Sequence, residues 1–267
     1  MVRRIPTGIR IAAALFVALT LVFILAPLVV VAGVSVSESP FIAFPPKGFS
    51  LKWYAALVGS DDYLRAAWTS LRLALAVTVT VTIIGGLAAI GLARRRDALG
   101  NGLQAIFLSP LILPTIVLAI GLLILWNVSF GAVSFTALWV GHSVIALPYV
   151  VRTTLAVLGD ADPHLEEAAR TMGAGPLKSL VLVVLPQCLP GLAAGAFFAF
   201  NISFDEAVIA LFLRTPDLVT LPIQIYNQIE FSPDPTIAAV STLMIGITIL
   251  LIAIVDRVVG IGRVAGH

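Results

Sequence analysis

Residues 159–179 read GDADPHLEEAARTMGAGPLKS, and Leu185-Pro186 follow within the next apolar run. The stretch is a charged insert between two apolar stretches. Polar backbone and side chains without internal partners are not tolerated in hydrocarbon, so the insert lies outside any bilayer that its flanks cross and is free to meet a soluble partner. Local chemistry builds a short helix there. Asp162 is a good N-cap and Pro163 suits the first helical position. Leu165, Ala168, Ala169 and Met172 recur at i, i+3, i+4 and i+7, one face of a helix, flanked by Glu166, Glu167 and Arg170. Gly173 is placed to end the helix, and Gly175-Pro176 break the chain before the next one. A helix of about three turns at most is marginal alone in water and gains stability by seating its stripe in a groove. Spacing alone does not say whether that groove belongs to its own bundle or to a partner.

Composition sets the class around this insert. The chain has 267 residues, 60% of them hydrophobic and 11% charged, with a mean hydropathy of +1.07. Soluble domains carry about 25% charged residues. A net charge of +2, with basic residues at segment ends instead of in a patch, argues against nucleic acid as a partner. The single cysteine, Cys188, excludes an internal disulfide and reads as a core-like thiol.

A helix needs about 20 apolar residues to cross the hydrocarbon. Six runs qualify: Ile11–Val34, Leu73–Ala93, Ala105–Trp126, Val133–Val151, Leu180–Leu213 and Ile237–Val255. Leu73–Thr82 alternates with period two, as a barrel strand does. It continues without charge to Ala93, whereas barrel strands stop after about 10 residues, so the barrel reading is rejected. The expectation is an all-α membrane protein of one transmembrane domain over residues 1–267, its core about 70–256 and its polar loop about 159–179. No internal repeat and no separate soluble domain are visible. Ser35–Leu64 is the longest connection, and its Leu51, Trp53, Tyr54 and Leu57 suit a short helix at the membrane interface.

Arginine and lysine set orientation. With six spans both ends share a side, which then holds Arg3, Arg4, Arg10, Arg94, Arg95, Arg96, Arg152, Arg170, Lys178, Arg257 and Arg263. The positive-inside rule puts both termini and the Glu167 loop in the cytoplasm. Ile11–Val34 is too long for a signal-peptide core and reads as an uncleaved anchor.

A second polar constellation, Asn201, Ser203, Asp205 and Glu206, lies in the fifth run. Each ionised residue at bilayer centre costs about 2.5–3.5 kcal/mol on the insertion scale. These acids are therefore expected to face a wet cavity, a partner or a boundary. On a helix Asn201 and Asp205 share one face, while Ser203 and Glu206 share another. Asp205 precedes Arg214 by nine positions, about 13 Å if helical, which suggests the outer half of the membrane. A cation route with a negative gate and a structural hydrogen bond are both open. Gly191 and Gly195 form a small-x-x-x-small pair that lets another helix approach. His142 reads as a helix–helix contact, Pro110, Pro114 and Pro148 as kinks, and Asn127 as a cap for the third span. Gln224, Asn227 and Gln228 are exposed-loop polarity or a receptor contact.

Glu167-Ala168-Ala169, three residues, Gly173, nine residues, Val183, a spacer and Leu185-Pro186 together resemble the "EAA" loop in the membrane subunits of bacterial ATP-driven importers. SFDEAVIALFL (Ser203–Leu213), SPLILPTIVLAIGLL (Ser109–Leu123), ALPYVVRTTLAVL (Ala146–Leu158) and LPIQIYNQI (Leu221–Ile229) resemble the spermidine/putrescine-type permease family. The resemblance runs from about Leu71 to Val255; the first 70 residues match only in hydropathy. It implies a type I ABC importer permease fold with six transmembrane helices in the bacterial inner membrane. It also implies that Glu167, Ala168, Ala169 and Gly173, with Leu165 and Met172 on the same helix, couple to an ATP-binding subunit. That ATPase would be a homodimer using ATP and Mg. A second permease completing a heterodimer and an extracytoplasmic solute-binding protein are the other implied partners. Relatives of this type carry polyamines, aminoalkylphosphonates, opine-like compounds or ferric iron; adjacent Asp205 and Glu206 favour a cationic solute.

The chain itself holds no P-loop, since none of Lys47, Lys52 and Lys178 follows the required glycine spacing. It is expected to bind no cofactor and to be no enzyme. An intramembrane protease would need paired aspartates on facing spans, a Ser with a His partner or a zinc HExxH helix; Asp205 is the only aspartate candidate for burial and no HExxH occurs. An ion-gradient carrier using Asp205 and Glu206 is the rival, although such carriers commonly show inverted repeats and a midplane site of their own.

Overall fold

The structure, a computed structural model, describes residues 6–259 except Arg96, Asp160 and Pro163. The expected helix start at Pro163 and the charges of Arg3, Arg4, Arg96 and Arg263 lie outside the described residues. Among the described residues twelve α-helices follow in order: α1 (Thr7–Ser35), α2 (Lys52–Val58), α3 (Asp61–Ala93), α4 (Ala98–Leu108), α5 (Thr115–Phe130), α6 (Phe135–Gly159), α7 (His164–Thr171), α8 (Pro176–Ser179), α9 (Leu185–Asp205), α10 (Val208–Leu213), α11 (Leu221–Phe231) and α12 (Thr236–Val259). A 3₁₀ turn, Ser109–Leu111, extends α4, and a π turn, Leu180–Val184, joins α8 to α9. Among the described residues β structure is limited to one isolated bridge, Thr215 to Leu218. Leu73–Thr82, with its strand-like alternation, lies inside α3. Two of the three threonine hydroxyls in that stretch turn back to the carbonyl four residues earlier, Thr78 to Ala74 and Thr80 to Ala76, so those two need no partner in lipid.

Among the described residues five helical stretches are long and apolar enough to cross a bilayer: α1, α3, α6, the α8–α9 stretch and α12. The expected third span, Ala105–Trp126, is not one helix. Ala98–Leu111 and Thr115–Phe130 meet at a bend of 101°, and count as a sixth span only if the bent pair is taken as one. Prolines cause the break. Pro110 lies in the 3₁₀ turn, and Pro114 stands at the start of α5, where its missing N–H costs nothing while the residue before it is pushed out of helical conformation. The fifth run breaks too. α9 stops at Asp205, Glu206 is extended, and α10 begins at Val208. The helical distance from Asp205 to Arg214 and the shared face of Ser203 and Glu206 therefore do not hold.

Other boundaries move outward. α3 begins at Asp61, well before Leu73, because Tyr63, Ala66, Thr69 and Ser70 continue its buried side. α6 runs past Val151 to Gly159, and Pro148 sits within it. The end of α5 is closed by Gly131, whose N–H reaches the Asn127 carbonyl. The Asn127 side chain bonds back to Leu123 within the helix, so it is not the expected cap.

The chain falls into two compact units: the chain up to Asp61 with Ile225–Ile247, and Asp62–Gln224 with the chain from Thr248 on. In the first unit, α1 is exposed along its apolar length and buries only Val34 and Ser35. The expected interface pair turns its polar tips inward. Trp53 Nε1 donates to the Ser37 carbonyl at 2.8 Å, and the Tyr54 hydroxyl lies 2.8 Å from Ser35 Oγ. Gln228 Nε2 donates to the Ser232 carbonyl and to Asp234 Oδ2, closing the turn from α11 to α12.

The second unit holds the core: Leu73, Val77 and Val81 of α3 with Leu138, Ile145 and Val150 of α6 and Ile209 and Leu213 of α10. α6 and α9 form its most extensive contact. Gly191 and Gly195 are the reason they approach so closely. A Cβ on Gly191 would lie 2.8 Å from the Thr153 carbonyl oxygen, and one on Gly195 2.8 Å from Val150 Cα. The small-residue pair thus serves packing within the chain.

Candidate functional site

The insert forms α7, about two turns long. Asp162 starts it: Oδ1 accepts from the His164 N–H at 2.9 Å. Gly173 ends it with φ +88°, a left-handed conformation that disfavours any β-carbon. The Gly173 N–H bonds the Arg170 carbonyl and the Ala174 N–H the Ala169 carbonyl, both at 3.0 Å, the hydrogen-bond pair of a Schellman C-cap. The chain then turns through Gly175 into α8, with Pro176 at its first position.

The apolar stripe of α7 divides. Ala169 is buried at 7% exposure, while Ala168 is exposed, Leu165 is 50% exposed and Met172 83%. Leu177, 73% exposed, extends the apolar surface beyond Gly173. The two glutamates divide as well. Glu167 points outward, with His164 its only ion-pair partner among the described residues, 3.3 Å away. Glu166 points inward, its Oε1 accepting from Arg94 Nη2 at 2.8 Å and Arg170 Nη2 at 2.9 Å. Sequence reasoning placed Glu166 only as a flank of the stripe. Its separation from Glu167 by one residue, about 100° of helix, was the available signal, but Arg94 lies 72 positions away and no local pattern names it.

The polar residues of the fifth run do not converge. Asn201 donates from Nδ2 to the Phe197 carbonyl and accepts from Thr248 Oγ1 at 3.2 Å, a tie to α12. Ser203 is buried, with Oγ 3.1 Å and its carbonyl 3.2 Å from Nδ1 of buried His142. That carbonyl belongs to the last turn of α9, where no intrahelical donor follows. A neutral His142 with the proton on Nδ1 supplies one, which makes the expected helix–helix contact of His142 a tie between α6 and α9. Glu206 Oε1 accepts from the Val208 N–H at 2.7 Å and the Ile209 N–H at 3.0 Å, so its carboxylate caps the start of α10. Asp205 is exposed, at the C-terminal end of α9, and has no hydrogen bond or ion pair among the described residues. A carboxylate there opposes the helix dipole, so α9 gives it no compensation.

Apolar helices sufficient for several crossings, joined by a polar insert that turns an apolar stripe and a glutamate outward, define a multi-pass membrane subunit. The chain belongs to the family of binding-protein-dependent transport system inner membrane components, whose model matches residues 81–261. It is 31% identical over 206 residues to the spermidine/putrescine transport system permease protein PotC of Escherichia coli K12, covering 77% of this chain and 78% of that protein. It is 30% identical over 231 residues to the putrescine transport system permease protein PotI of the same organism, covering 84% and 82%. The fold matches a bacterial ABC transporter that imports the acidic polysaccharide alginate, with TM-score 0.72 at 15% identity, covering 95% of this chain and 98% of that one. It also matches a bacterial alginate ABC transporter in complex with alginate pentasaccharide-bound periplasmic protein, with TM-score 0.72 at 13% identity, covering 93% of this chain and 92% of that one. The chain is thus a multi-pass inner-membrane permease subunit of an ABC importer and not an enzyme. Membership removes the ion-gradient carrier as a rival.

Proposed function

We propose that this chain forms half of the translocation path of an importer for small organic cations of the polyamine class. A second permease completes the path, and a pair of ATP-binding subunits using ATP and Mg drives it. An extracytoplasmic binding protein delivers the solute. Both termini and α7 lie on the cytoplasmic side, as the arginine distribution favours. The outward stripe of Leu165, Ala168 and Met172 with Glu167 carries the reading. Such a surface on a two-turn helix has no use inside its own bundle. Seated in a cleft of the ATP-binding subunit, α7 passes nucleotide-driven closure to α6 and, through α8, to α9. Ala168 keeps the approach close, Ala169 seats the helix on its own bundle, and Gly173 supplies the sharp exit.

The cationic solute rests on Asp205, the one carboxylate of the polar segment left without a partner there, and on the names of the polyamine permeases at 30–31% identity. Asn201, Ser203 and Glu206 are each engaged in contacts within the chain. The test is uptake of putrescine and spermidine by the importer reconstituted with its cognate subunits. Glu167→Lys is expected to leave ATP hydrolysis running while uptake falls at least about tenfold, a loss of 1.4 kcal/mol of coupling. Undiminished uptake per ATP would remove α7 from the drive train.

A further inference from the structure

We infer that Arg94 and Glu166 form a positioning pair that holds α7 at the angle its docking requires. The inference rests on the coupling role proposed for α7.

A two-turn helix has little stability of its own. α7 is capped at both ends, but caps fix its length and leave its tilt free. Of its apolar stripe, only Ala169 is buried. Against one side of α7 lies a cavity of about 480 Å³, lined by Arg94, Arg95, Gln104, Asp162, Glu166 and Gln187 among others. Among the described residues no packed side chains fill this space, so van der Waals contact among them does not fix α7 across it. The Arg94–Glu166 bond does, at 2.8 Å, joining the C-terminal end of α3 to the inner face of α7.

The two ends of this link differ in connectivity. α7 follows α6 and precedes α8 and α9 in the chain, so those helices feel its motion through short connections. α3 has no such connection, and Arg94 supplies one. Glu166 is suited to the part because its side chain is only 21% exposed, against 74% for Glu167. A half-buried charge-assisted bond is screened less than a surface pair. Arg170 also reaches Glu166, at 2.9 Å. It lies on α7 itself, so it orients the carboxylate but ties nothing to α3.

The test uses the complete reconstituted importer with Arg94→Gln, Glu166→Gln, the double variant and Arg170→Gln, beside Glu167→Lys. Two quantities are read: ATP-binding subunit retained on purification, and solute taken up per ATP hydrolysed. Arg94→Gln and Glu166→Gln are each expected to keep the ATP-binding subunit bound while uptake per ATP falls three- to tenfold. The double variant should fall no further, and Arg170→Gln should stay within twofold of the unmodified importer. Full uptake per ATP in Arg94→Gln, whose side chain is outside the core and 45% exposed, overturns the inference, as do additive losses in the double variant. The Glu167→Lys arm keeps the two ideas apart. Its loss of coupling with intact behaviour in the glutamine variants defeats the positioning pair alone; intact coupling in Glu167→Lys defeats the docking role beneath it.

Discussion

α7 and the end of α9 both carry adjacent acidic residues in an apolar chain, and they use them in opposite ways. On α7, Glu166 is bound to two arginines and Glu167 is turned outward beside an exposed apolar stripe. At the end of α9 the chain breaks, and the break absorbs Ser203 and Glu206 while Asn201 ties to α12, leaving Asp205. A regular helix sorts side chains by angle, so spacing tells which ones face a partner. A break sorts them by the backbone groups it leaves unsatisfied, and polar side chains nearby are drawn into capping. The contrast predicts that changes on α7 affect coupling, whereas those at the break divide between uptake and stability.

The largest effect is expected from Ala168→Arg. The site is exposed, so thermal stability should be unchanged, while the added bulk and charge on the docking stripe should remove the ATP-binding subunit on purification and cut uptake more than tenfold. Retention of that subunit would dissolve the distinction between the two regions. Gly173→Ala comes next. A β-carbon at φ +88° costs about 1–2 kcal/mol, enough to loosen the exit of α7, and uptake should fall several-fold with no change in the global melting temperature. A drop in that temperature would mean that the insert belongs to the core.

At the α9 break, Asp205→Asn is expected to reduce putrescine uptake about fivefold, roughly 1 kcal/mol, with the ATP-binding subunit still bound. Equal uptake would take Asp205 out of the path and leave no cation-facing acid in this segment. Glu206→Ala should be the mildest. Losing a cap costs about 0.5–2 kcal/mol, so the detergent-solubilised protein should melt a few degrees lower while uptake per folded complex stays the same. If Glu206→Ala impairs uptake as much as Asp205→Asn does, the acids act as a pair after all.

The α7 helix was legible because its signals are local. Asp162, the i, i+3, i+4, i+7 stripe and Gly173 all act within one short stretch; Asp162 and Gly173 bound the helix as their chemistry demands, while of the stripe only Ala169 is buried. The long apolar helices were legible for the same reason, save where hydropathy hides a change of direction. Ala105–Trp126 is apolar throughout, and only Pro110 and Pro114 mark the 101° bend. At Asp205-Glu206 not even a proline warns of the break. It is held by a distant partner, His142 on α6, 61 positions from Ser203, which spacing does not bring near, and by Glu206, which accepts from the first N–H groups of α10 two and three residues on. Arg94 reads in the sequence only as one of the positive-inside charges, because its partner Glu166 lies 72 positions away.

The central claim is that α7 offers Ala168 and Met172 to the ATP-binding subunit and keeps Ala169 for its own bundle. Native Cys188 is fully buried, so single cysteines at 168, 169 and 172 can carry a thiol-reactive photo-crosslinker in the assembled importer. Crosslinks to the ATP-binding subunit are expected from Ala168→Cys and Met172→Cys and not from Ala169→Cys. Assembled importer in which neither 168 nor 172 reaches that subunit would contradict the account.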